Sequence, residues 1–320
     1  MEQIPLFEDE FMLMNDATAA LKALRLDDAL ESLRRYNDLY HGGKDVGMKL
    51  KIATFLKEGL SAAPPTGDDR PPYLFQLWRS FEAFCHALGP DGAIGAELRR
   101  PFFHEIVAAI EAGRLADTAF LAQGIPVGYA YLQTGDHDRA IRSLQACLTV
   151  TPDNAAIYGY LGDAYWLRGD QQVARQLYFT ACLIDPTVLD WSHLRDEQLK
   201  ELLEQLTDEY DGDPALAYGW LPAYAYVRGL FRSRQIRLWE EFKTFTAGYL
   251  ELKKTALKTA SPSLAAKLFL RGIVLCDNET FMKKIKGIDF AEVRREMKGA
   301  HAELFAAYLK QIDRRRGNGA

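Results

Sequence analysis

Residues 127–154, VGYAYLQTGDHDRAIRSLQACLTVTPDN, and residues 161–188, LGDAYWLRGDQQVARQLYFTACLIDPTV, align with each other at a shift of 34. Gly128 falls on Gly162, Tyr131 on Tyr165, Gly135 on Gly169, Asp136 on Asp170, Ala140 on Ala174 and Pro152 on Pro186. Self-similarity at such a period is the mark of stacked supersecondary units, each too small to bury its apolar face alone. Gly128 and Gly162 are small enough for a second helix to approach closely. Tyr131 and Tyr165, three residues on, share their helical face and fill the space between paired helices. Gly135-Asp136 and Gly169-Asp170 end one helix and begin the next, glycine suiting a left-handed C-terminal turn. Ala140 and Ala174 sit where two helices touch, and Pro152 and Pro186 stop the second helix.

These positions resemble the tetratricopeptide repeat family. The second unit, 155–188, carries the fuller pattern, with Tyr158, Leu161-Gly162, Tyr165, Ala174, Tyr178, Ala181 and Pro186. The first, 121–154, departs early. Gly124 stands where the family has a large aromatic, and Pro126 lies inside the expected first helix, so that helix starts late or is kinked. The resemblance implies an all-α fold, a right-handed α-solenoid of helix-turn-helix repeats, with further C-terminal helices added. It also places the first helix of each pair on a concave surface that holds a protein or peptide segment. The residues so mapped are Tyr129, Leu132 and Gln133 from one unit and Gly159, Tyr160, Asp163, Trp166 and Leu167 from the next. Of these, Tyr129, Gln133, Tyr160, Asp163, Trp166 and Leu167 are the candidate partner-binding residues. Ile125, Tyr129 and Asp163 stand where one subset of the family clamps C-terminal carboxylates with polar or cationic side chains, so that clamp is absent. The aromatic groove suits a hydrophobic or helical segment, from a partner or from residues 215–320 of the same chain.

Outward from the repeats, residues 11–40 read as a worn helix pair of the same kind, with Ala29 in a place comparable to Ala140. Helical patterns follow at 46–62, 73–87 and 97–111, with a Pro-rich connector, APPTGDDRPP, at 63–72. Beyond Pro186 the register fails. Helices are expected at 196–210, at 215–231 with a bend at Pro222, and at 235–257, 263–276, 280–286 and 289–312. The RRRGNGA end reads as a frayed tail. The chain thus divides into a degenerate helical region (1–120), two repeat units (121–188) and a capping module (189–320).

Composition fits this reading. The chain is 48% hydrophobic and 26% charged, ordinary for a folded water-soluble protein. No stretch approaches the length of a membrane helix, and the acidic MEQIPLFEDE start is the reverse of a signal-peptide n-region. The single cysteines Cys85, Cys147, Cys182 and Cys276 favour neither a disulfide framework nor a zinc site, and a reducing cytoplasm is the default. Charge is uneven: residues 1–222 hold 19 Lys+Arg against 34 Asp+Glu, and residues 223–320 hold 20 against 10. The two parts can attract each other or face different partners.

No catalytic constellation stands out, and the chain reads as a non-enzyme with neither cofactor nor metal. GxSxG, HExxH and GxGxxG are missing, and His41-Gly42-Gly43-Lys44 lacks phosphate-loop spacing. No two of the histidines 41, 86, 104, 137, 193 and 301 share a helix at ligand spacing. His137, between Asp136 and Asp138, reads as an inter-helix turn. Cys85 and His86 are adjacent and point in different directions on a helix. The leading expectation is a protein–protein scaffold or adaptor. The alternative is a nucleic-acid or polyanion binder using Lys283, Lys284, Lys286, Arg294, Arg295, Lys298 and Arg314–Arg316.

Overall fold

The computed structural model describes residues 4–40, 46–89, 94–191, 194–259 and 261–317. The 41–44 loop and His193 lie outside the described residues. Among the described residues there are sixteen α-helices and one minute β-hairpin. The chain divides into two compact units, Met1–Val150 and Thr151–Ala320. The boundary falls between the two repeats.

In the first unit the helices are α1 (Ile4–Lys22), α2 (Leu26–Leu39), α3 (Gly47–Ser61), α4 (Arg70–Ala87) and α5 (Ile94–Gly113). The strands β1 (Phe120–Ala122) and β2 (Ile125–Pro126) follow, then α6 (Val127–Thr134) and α7 (His137–Val150). Each helix packs on the next in the chain, as short helix–helix loops dictate. The core between α4 and α5 is aromatic: Trp78 lies 5.4 Å from Phe81, 5.2 Å from Phe102 and 5.6 Å from Phe103 between ring centres. Pro71 and Pro72 open α4 in its first turn, where a missing N–H costs nothing. The late start of the first repeat helix takes a specific form. Gly124, at φ 77°, turns the β1–β2 hairpin, and Pro126 is the extended residue that precedes α6.

The second unit contains α8 (Ala155–Arg168), α9 (Gln171–Ile184), a 3-10 turn (Pro186–Val188), α10 (Glu197–Glu209) and α11 (Pro214–Val227). Then come α12 (Trp239–Lys258), α13 (Pro262–Asp277), α14 (Glu279–Met282), α15 (Phe290–Ala300) and α16 (Ala302–Gly317). Asn154, Asp196, Asp213 and Asp289 cap α8, α10, α11 and α15 by accepting from backbone N–H groups. Helix α13, LAAKLFLRGIVLC at its apolar stretch, is buried on most of its circumference and packs against α9, α11, α12, α14 and α15. An all-round apolar helix belongs inside. The single helix expected at 289–312 is broken at His301, whose extended backbone ends α15 and whose Nδ1 accepts from Leu304 N–H at 3.2 Å to start α16. Helix α16 then runs on through 314–316, where a frayed tail was expected.

The repeat register holds at the turns. Gly135 and Gly169 are left-handed, with φ of 87° and 98°. Asp136 N–H donates to Tyr131 O at 3.0 Å and Asp170 N–H to Tyr165 O at 2.9 Å. The pair α1–α2 repeats this geometry: Arg25 N–H donates to Ala20 O at 2.9 Å, with Leu24 at φ 55° in the glycine position. Ala29, Ala140 and Ala174 are all fully buried.

Candidate partner-binding surfaces

The small residues of the repeats do what close helix approach requires. A methyl group at Gly162 would lie 2.5 Å from Tyr178 Cε1, and one at Gly128 would lie 2.8 Å from Leu144 Cγ. The six sequence-predicted site residues fall into both units. Tyr129 and Gln133 belong to α6 in the first unit; Tyr160, Asp163, Trp166 and Leu167 belong to α8 in the second.

In the first unit Tyr129 is part of the aromatic core. Its ring meets Phe75 and Phe103 edge-on at 6.1 and 5.7 Å. Gln133 accepts from Arg99 Nη1 at 3.5 Å, and Arg99 also binds the Glu82 carboxylate. Both side chains thus have internal roles.

In the second unit the inner face of α8 is already covered. Ala156, Gly159, Tyr160 and Asp163 line a narrow gap closed from the other side by Leu189, Asp190, Trp191 and Leu194. A methyl at Gly159 would lie 2.5 Å from Leu189 Cδ2. Asp163 is buried and accepts from the Tyr178 hydroxyl at 2.6 Å. Burial, and next the Asp163 carboxylate, push the Tyr178 phenol well above its ordinary range, so it stays a donor. Trp191 donates from Nε1 to Pro186 O at 2.8 Å and stacks on Tyr218 at 5.7 Å.

A latch holds this cover in place. Asp196 is fully buried and receives Arg175 Nε at 2.6 Å and Nη2 at 3.2 Å while it caps α10. The Arg175 guanidinium also lies 5.5 Å from the ring centre of half-buried Trp166. Of the six candidates only Leu167, at 39%, is among the exposed large apolar side chains. The sequence reading left the groove either to a partner segment or to residues 215–320. On α8 the cover comes from Leu189, Asp190, Trp191 and Leu194, whose Leu-Asp-Trp run carries no repeat signature, though its spacing from Pro186 is short enough to fold back.

An apolar groove that sequence reasoning missed lies between α12, α13 and α15. Ala256, Leu257, Pro262, Ala265, Leu268 and Ala300 line it, with a volume of 410 Å³. Leu257 is 76% exposed. Lys253 at one wall holds Glu292 at 2.8 Å and Glu296 at 2.9 Å. The signal in the sequence was faint: one leucine in a polar stretch, opposite small residues.

A polar cleft lies among the last helices, lined by Tyr226, Gln235, Cys276, Asp277, Lys283 and Arg294. Tyr226 donates to Asp277 Oδ2 at 2.6 Å. Burial pushes the Cys276 thiol up to about 11, which leaves it protonated and a poor nucleophile at neutral pH. The same effect raises Cys85 and Cys147 to about 11. Cys85 is buried and His86 exposed. No group of three or more metal-ligating side chains is found among the described residues, and none of their helices is long and apolar enough to cross a membrane. Of the candidate polyanion-binding cations, Lys283 pairs with Glu279 at 2.7 Å and Arg294 lies over Phe290 at 5.7 Å. Lys284, Lys286, Arg295 and Lys298 are exposed.

Residues 128–186 match the family model described as Tetratricopeptide repeat. No curated protein and no solved structure matches the chain significantly.

Proposed function

From a chain that carries tetratricopeptide repeats over 128–186, we propose a protein–protein interaction scaffold or adaptor that binds and does not catalyse. The repeats of this family serve generally in protein–protein contacts, and stacked helix pairs display extended surface. The observation that directs the reading is the covered inner face of α8, set against the open apolar groove beside Leu257. Partner capture then falls on the groove, and the Tyr160–Trp166 face serves the fold. Four buried cysteines without disulfides fit a reducing compartment such as the cytoplasm.

The test is partner capture by the full chain from its native cells, followed by binding of the purified partner to wild type and to Leu257→Glu and Trp166→Ala variants. Leu257→Glu is expected to weaken binding about tenfold or more, as loss of an interface anchor does, with an unchanged melting curve. Trp166→Ala is expected to lower the melting temperature and leave binding nearly intact. Equal binding by wild type and Leu257→Glu rejects the groove, and loss of binding in a stably folded Trp166→Ala protein restores the inner face.

A second reading, polyanion binding, draws on exposed Lys284, Lys286, Arg295 and Lys298. Nucleic-acid binding whose affinity falls steeply with salt would support it; salt-independent or absent binding would reject it.

A further inference from the structure

The groove between α12, α13 and α15 invites a definite occupant, and this inference rests on its reading as a docking surface. We propose that it receives helix α1 of a second copy of this chain, joining copies head to tail. Residues 251–259 and 261–271, which form two walls of the groove, carry Lys254, Lys258, Lys267 and Arg271 against Glu251, while Lys253 is already engaged by Glu292 and Glu296. Residues 9–16 of α1 carry Asp9, Glu10 and Asp16 and no cation. Opposite charge of this density steers encounter and selects the partner.

Helix α1 has a buried apolar aspect and an outward one of mixed character. Met14, Ala17, Ala20 and Leu21 are buried in its own unit. Asp9, Met12, Asp16 and Ala19, at helical spacing, form an outward stripe, with Met12 60% exposed and neighbouring Phe11 57% exposed. Such a stripe matches the helix-in-groove mode, in which a few apolar anchors enter a trough. The groove floor is built of small residues, Ala256, Ala265 and Ala300, which let another helix approach closely. Its acidic member, Glu296, is neutralised by Lys253. Lys258 and Lys298 are exposed near the rim-forming residues Leu257 and Gly299, available to the carboxylates of α1.

The two surfaces differ, so the contact is heterologous and each copy offers one of each kind. A trough of this size takes one helix face, which makes the association weak and concentration-dependent.

Sedimentation equilibrium of the full chain tests this. The weight-average mass is expected to rise above the monomer with concentration and to fall back at high salt. Leu257→Glu and Met12→Lys both lie on exposed positions and should melt like wild type, yet each should weaken self-association about tenfold or more. Mixed together, the Leu257→Glu protein offers α1 and the Met12→Lys protein offers the groove. The mixture should form a one-to-one pair that grows no further. A wild type that stays monomeric at every concentration overturns the proposal, as does a Met12→Lys protein that associates like wild type. If wild type is monomeric while Leu257→Glu loses a foreign partner, the groove is a docking site and the self-docking inference is rejected.

Discussion

The two tetratricopeptide units agree in backbone and differ in what covers them. Both end their first helix at a left-handed glycine, and both bury an alanine at the helix–helix contact. In the first, the inner-face tyrosine, Tyr129, is absorbed by Phe75 and Phe103 of the aromatic core. In the second, the inner face of α8 is closed by Leu189, Trp191 and Leu194 from the chain that follows α9. The difference teaches that the repeat pattern encodes a helix pair and says little about its cover. Local turns and close contacts leave marks at fixed spacing; a cover arriving from a non-repeating segment leaves none.

The latch is where the two units differ most. Position 175 is Arg, paired with buried Asp196, and its counterpart 34 residues earlier is Ile141. Arg175→Ala leaves a buried carboxylate without its cation and is expected to cost about 3 kcal/mol, measured by chemical denaturation. Ile141→Ala probes ordinary packing alone. An Arg175→Ala protein as stable as wild type would show that the Asp196 capping bonds suffice.

The next contrast is at the close approaches. Gly162→Ala drives a methyl into the Tyr178 ring, which is fixed through its hydroxyl to Asp163. Over-packing there is expected to cost about 2 kcal/mol. Gly128→Ala meets Leu144 Cγ at 2.8 Å, a longer approach to an aliphatic side chain, and should cost less. Reversal of that order in thermal melts would displace the packing argument.

A smaller effect compares the worn pair α1–α2 with the intact ones. Leu24 occupies the left-handed position that Gly135 and Gly169 fill in the repeats. A side chain there costs about 1–2 kcal/mol, so Leu24→Gly should stabilise by about 1 kcal/mol, once the greater chain freedom of glycine is deducted. Gly135→Val should destabilise more than Gly135→Asn, because Asn tolerates the left-handed region. Equal effects of the two would place the turn elsewhere.

These contrasts show what was legible. The turn glycines, Ala140, Ala174 and the prolines announced themselves through period and spacing. The α1–α2 pair was readable from Ala29, even though Leu24 had replaced the turn glycine. The break at His301 was hidden, because 289–312 keeps helical periodicity and the capping imidazole is an unusual N-terminal acceptor. The Arg175–Asp196 latch and the Leu257 groove depend on residues distant in the chain, which periodicity does not register. For the same reason the inward residues Tyr160 and Asp163 were identified by position but not by their cover.

Gly159→Leu tests the closed inner face most directly, because an open and a covered helix give opposite signs. On an open helical face, replacing glycine by leucine gains up to about 1 kcal/mol in helix propensity. Under Leu189, whose Cδ2 would lie 2.5 Å from the new Cβ, the substitution over-packs and is expected to lose about 1–3 kcal/mol. Part of that loss should be recovered when Leu189→Ala is added. A Gly159→Leu protein with unchanged or increased unfolding free energy would contradict the account and leave the face of α8 open.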